Sequence, residues 1–219
     1  MSGITHSTAL WYASRATGVV SLILLTVVVV LGILVNRQGR LPGLPRFVVT
    51  GLHRNMSLLA VVFVAIHVVT AIADPYVSIK AVSAVVPFVS SYKPFWLGLG
   101  AVSFDLVLAL ILTSLARARM NRRVWRGIHW LAYAAWPVAF AHSLGSSTDL
   151  LHGGLLDLAV ACALAVGAAV VWRMAKAAQA IPRAERAAIV LSRSTRIHRR
   201  PSPPSRAHEL TDATKADHR

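Results

Sequence analysis

The sequence predicts an all-α integral membrane protein, a helix bundle of five spans with one short interfacial segment, N-terminus outside and C-terminus inside. Three observations carry that expectation. Hydrophobic residues make up 56% of the 219 residues and charged residues only 14%, with a mean hydropathy of +0.60, whereas a soluble domain needs about a quarter charged residues to coat its surface. The apolar residues fall into five continuous runs, each long enough to cross a hydrocarbon core about 30 Å thick at about 1.5 Å per residue. The excess of 23 Lys and Arg over 8 Asp and Glu collects between those runs and in the tail, as short cytoplasmic loops require. The net charge of +15 therefore reads as membrane orientation and not as a nucleic-acid surface.

The runs are Leu10 to Val35, Phe47 to Ala73, Phe95 to Ala116, Val124 to Leu144 and Leu155 to Met174. Each is continuous instead of alternating, and a lone span must satisfy its own backbone hydrogen bonds, so each is expected to be a helix. The first has no basic region before it and exceeds a signal-peptide core, which argues against a cleaved leader. A further piece, Val77 to Val89, carries Lys80 and Pro87 and is too short to cross, so it is expected at the interface. Arg37, Arg40 and Arg46 place the first connection in the cytoplasm, and Arg117, Arg119, Arg122, Arg123 and Arg126 place the third there. The connections holding Asp74, Lys80, Lys93 and Asp149 are then outside.

From Arg173 to Arg219 eleven Lys and Arg face four Asp and Glu, which keeps the C-terminus inside. The chain divides into a short outer N-terminus (1–9), a membrane domain (10–175) and a basic cytoplasmic tail (176–219). The tail is expected to extend the last helix with a break near Pro182, to be disordered from about 197, and to lie near anionic lipid.

The lone cysteine, Cys162, excludes a disulfide within the chain and any thiolate cluster, so metal chemistry falls to histidine. Nine histidines occur. Four of them, His53 and His67 in the second span and His129 and His142 in the fourth, lie inside the membrane, where ionisable groups mark function. Fourteen residues separate the first two, about 21 Å of rise and a return to within about 40° on the helix surface. Thirteen separate the second two, about 20 Å. Both spans run the same way, so His53 is expected beside His129 near the inner face and His67 beside His142 near the outer face. Two imidazoles at one depth suit six-coordinate b-type haem, whereas zinc wants three or four ligands. On an ideal helix 13 residues leave the second pair about 140° apart, and a kink at Pro137 is expected to close that gap.

Leu52-His53-Arg54-Asn55 with His67, and Ile128-His129-Trp130 with His142, resemble the haem-binding transmembrane domain of the ferric reductase and NADPH oxidase superfamily. Ser14-Arg15-Ala16 is similar too, since an arginine there lies near the outer haem in that family. The resemblance covers about residues 10–175 and implies two bis-histidine b haems that carry single electrons across the membrane. The chain differs from full-length members in having five strong spans instead of six and in ending before a flavin and nucleotide domain. It is in this more similar to short bacterial members with separate redox partners. A multi-pass protein of the bacterial plasma membrane is implied, with a flavoprotein reductase or quinol as electron donor, an external redox acceptor, and no nucleic acid partner.

Haem propionates are anionic, which makes Arg54 and Arg126 candidate partners at the inner pair and Arg15 at the outer pair. Asp105, about ten residues into the third span, is expected to pair with Arg15, to accept a ligand histidine's N–H, or to make a helix–helix hydrogen bond. Trp11, Tyr12, Tyr92, Phe95 and Trp96 sit where an interfacial belt would be, and Trp125, Trp130 and Trp136 are expected to anchor or pack. His152 stands on the outer rim, where it would meet an acceptor. Two rival functions remain at this point. A haem or metal transporter would show repeats and broken midplane helices, and a haem-free scaffold would leave four matched histidines without a purpose.

Overall fold

A computed structural model describes residues 2–36, 45–75, 79–147 and 153–198. Its helices are α1 (Ser2–Asn36), α2 (Arg46–Ala73), α3 (Pro94–Leu115), α4 (Arg122–His129), α5 (Ala132–Ser146) and α6 (Gly153–His198), with 3-10 turns at Ala81–Ala84 and Ala116–Arg119. No strand occurs among the described residues. Four of these helices are long and apolar enough to cross a membrane, over Thr8–Val35, Phe47–Ala73, Pro94–Arg119 and Gly153–Ala178. The expected fourth span, Val124 to Leu144, is built differently, from α4 and α5. Arg37, Arg40, Asp149, His152 and residues 199–219, including the Pro-rich run, lie outside the described residues.

Local chemistry sets the helix starts. Asn121 caps α4 by accepting the Arg123 N–H at 2.8 Å. Pro94 opens α3, where its missing N–H costs no hydrogen bond. Lys93 just before it takes a left-handed conformation at φ 38°. Its Nζ reaches the Gly145 and Ser146 carbonyls at 3.3 Å, a cation on the last turn of α5. The described part of the Val77–Val89 piece, from residue 79, holds one 3-10 turn and is too short to cross.

The chain forms two units, Met1–Arg173 and Met174–Arg219. In the first, α1 packs against α2, α3 against α5, and α1 also meets α5. Trp136, Cys162 and Val166 form the buried cluster, flanked by Ile23, Val29, Phe140 and Val170. Trp136 donates its Nε1–H to Thr26 Oγ1 at 2.9 Å, and Thr26 donates onward to the Leu22 carbonyl at 2.8 Å. No polar atom of that pair is stranded in an apolar interior. The expectation that Trp136 packs therefore holds. Trp136→Ala is expected to cost about 3–5 kcal/mol as a cavity, read as a lowered unfolding temperature in detergent. Trp172→Ala, on an exposed part of α6, should stay within about 0.5 kcal/mol. Leu52, Leu58, Leu59, Val62, Ile66 and Val69 of α2 stay exposed, as apolar groups facing lipid would.

Between α4 and α5 the backbone tightens without unfolding. Leu131 N–H bonds the Ile128 carbonyl at 2.9 Å, Tyr133 N–H that of Trp130 at 3.0 Å, and Ala134 N–H that of Leu131 at 2.9 Å. These are 3-10 bonds, and Trp130 and Leu131 have ψ of −22° and −18°. Each 3-10 residue turns about 120° instead of about 100°, so three such bonds add about 60° of rotation. That rotation is in the direction that closes the 140° deficit left by the 13-residue spacing. Pro137 lies within α5, and the helix continues through it. Likewise α6 stays helical through Pro182, where a break was expected. A proline removes one N–H bond from a helix and kinks it more readily than it ends it once many turns flank it.

Candidate functional site

The four intramembrane histidines meet in two pairs. His53 of α2 faces His129 of α4 with ring centroids 6.5 Å apart and planes at 75°. His67 of α2 faces His142 of α5 at 6.4 Å and 72°. Lower partners lower and upper partners upper, so α2 runs parallel to the α4–α5 segment.

Three of the four rings are held by a backbone carbonyl. His53 Nδ1 donates to Val28 at 3.1 Å, His67 Nδ1 to Ser14 at 2.8 Å, and His142 Nδ1 to Trp96 at 2.8 Å. A carbonyl oxygen only accepts, so each bond puts the proton on Nδ1 and leaves Nε2 with a free lone pair. That is the tautomer a metal-binding imidazole needs, and the bond raises its basicity. His129 is held differently. It stacks on Trp125, centroids 4.9 Å apart and planes at 23°, and the Arg117 guanidinium sits 4.6 Å from the Trp125 ring centre. His129 Nδ1 and Trp125 Nε1 are buried with no hydrogen-bond partner among the described residues.

The donor set suits a metal held between two imidazoles at each level. An imidazole centroid lies about 1.1 Å from its Nε2 and a metal–nitrogen bond is about 2.0 Å, so two imidazoles holding one metal between them would have centroids about 6.2 Å apart. The two pairs are within a few tenths of an ångström of that. Among the described residues no group of three or more His, Cys, Asp or Glu gathers to form a closed metal cage. The buried Trp125 Nε1–H beside His129 is where an anionic or water acceptor at the inner level would be bound.

The remaining expected residues are placed as follows. Arg15 is half-buried, follows the Ser14 carbonyl that holds His67, and lies 4.1 Å from the Trp11 ring centre. Arg54, next to His53, and Arg126, three residues before His129, are exposed. Of the three roles expected for Asp105, accepting a ligand histidine's N–H is not seen: backbone carbonyls take the Nδ1 groups of His53, His67 and His142, and His129 Nδ1 has no hydrogen-bond partner among the described residues. Trp125 was expected only to anchor or pack, and its position against His129 was not foreseen. Its spacing of one helical turn before His129 was the available signal. Trp130 packs under the Arg173 guanidinium at 4.8 Å.

A family model described as a ferric reductase like transmembrane component matches residues 17–140, from within α1 into α5. His53, His67 and His129 lie inside the match, and His142 follows two residues after its end. No curated protein and no solved structure matches the chain.

Proposed function

We propose, because the chain belongs to the ferric reductase-like transmembrane family, that this multi-pass membrane oxidoreductase carries single electrons from a cytoplasmic-side donor to an external acceptor. The observation that carries the proposal is the pair of facing imidazoles at each of two depths, 6.5 and 6.4 Å between centroids. His53 with His129, and His67 with His142, would each hold one b-type haem, which supplies a one-electron couple when bound.

The chain's own residues do the rest. The carbonyls of Val28, Ser14 and Trp96 fix three imidazole tautomers. The apolar helices keep water away from both levels, and α2 spaces the levels about 21 Å apart along its axis. Arg15 is suited to a propionate at the outer level, and Arg54 and Arg126 at the inner one. Under the positive-inside rule the arginine-rich end bearing the His53–His129 pair is cytoplasmic, in a bacterial plasma membrane.

The test is the absorption spectrum of the purified chain before and after dithionite. A low-spin b-type spectrum with a sharpened α band on reduction supports the proposal, and a spectrum without haem bands refutes it.

The donor side carries its own expectation. Arg117, Arg119, Arg122 and Arg123 are exposed at the inner end, a field that steers an acidic flavoprotein and weakens with salt. Reduction by such a donor is expected to slow about tenfold or more between low and high ionic strength. Charge reversal at Arg119, Arg122 and Arg123 should slow it at low salt, measured by stopped-flow absorbance. A salt-independent rate with quinol analogues would instead identify a membrane quinol as the donor.

A further inference from the structure

Resting on the reading that the histidine pairs hold haem, we propose that Gly18, Gly32 and Gly100 are positioning residues for three of the four ligands. Each bonded carbonyl belongs to the residue four before a glycine: Ser14 before Gly18, Val28 before Gly32, Trp96 before Gly100. In an α-helix the carbonyl of residue i bonds the N–H of residue i+4, and the side chain of i+4 leans back over that turn. A glycine at i+4 leaves the carbonyl's second lone pair open to a donor from the facing helix. The histidine then enters the space a Cβ would fill.

The contacts show how closely the rings use that space. A Cβ on Gly100 would lie 2.7 Å from His142 Cε1 and Nδ1, one on Gly18 3.0 Å from His67 Cε1, and one on Gly32 3.3 Å from His53 Cε1. Gly18 and Gly32 are 14 residues apart on α1, as His53 and His67 are on the antiparallel α2. Two equal notches therefore meet two equally spaced rings. General close packing of helices through small residues does not account for the arrangement. Gly51 and Gly167 have nothing within 4 Å of a Cβ, while Gly98 and Gly145 receive Phe88 and Trp96. His129 has no such notch and rests on Trp125, so the outer level has two carbonyl-held ligands and the inner level one.

A weakened Nδ1–H bond makes the imidazole a poorer electron donor to iron and raises the reduction potential. The test is a redox titration of the full chain, with haem content and low-temperature EPR, for Gly18→Ala, Gly32→Ala, Gly100→Ala and the control Gly51→Ala. Gly32→Ala is expected to keep both haems and raise the potential of one only. Gly18→Ala should raise the other, and Gly100→Ala should shift that same one further or release it, in the order of the Cβ distances. Gly51→Ala should match the wild type. If Gly100→Ala does not accumulate, Gly18→Ala and Gly32→Ala decide the matter, because their contacts allow small adjustments. Wild-type potentials and EPR signals in both of those variants overturn the inference while leaving the haem reading intact. A wild-type chain without haem overturns that reading and the inference together.

Discussion

His67→Leu and His142→Leu are each expected to remove one and the same haem, lowering the haem content of the purified chain by about half. His53→Leu and His129→Leu should each remove the other. Leucine keeps most of the imidazole volume and removes both nitrogens, so the loss reports ligation more than packing. The grouping follows from the facing rings, His53 with His129 and His67 with His142. Difference spectra that grouped His53 with His142 would contradict the parallel run of α2 and the α4–α5 segment.

One alanine inserted between Leu131 and Ala132 is expected to release the outer haem while keeping the inner one. The insertion turns everything after it by about 100° and raises it by about 1.5 Å, which swings His142 away from His67 and leaves His129 in place. It also makes the separation 14 residues, the number that would align the rings on an unbroken ideal helix. The two accounts of the segment therefore predict opposite results. If the tightened turn supplies the rotation, haem content falls by about half. If it does not, the insertion leaves haem unchanged or improves it. Pyridine haemochrome analysis distinguishes them.

The histidine pairing was legible in the sequence because it depends on two quantities a sequence states directly, the number of residues between ligands and the charges that set helix direction. Spacings of 14 and 13 fixed the depths, and the structure pairs the rings at those depths. The tightening at the α4–α5 junction was not legible, since it depends on which carbonyl each N–H takes near Trp130. The four long apolar helices were equally plain, whereas the fourth expected span hid a junction whose residues are all compatible with a regular helix. The acceptors of Nδ1 could not be read at all, because a backbone carbonyl has no sequence identity. Their mark was nonetheless present, as Gly18 and Gly32 repeat the 14-residue interval of the histidines. Trp125 was read through its residue type, common at interfaces, and its position one turn from His129 pointed to the contact it makes.

The central claim is that each facing imidazole pair holds one haem. The most direct measurement is the molar ratio of haem to protein in the purified full chain, by pyridine haemochrome assay after expression with ample haem supply. The account predicts two b-type haems per chain, low-spin by EPR. A chain that is folded and helical by circular dichroism and yet contains no haem would contradict it.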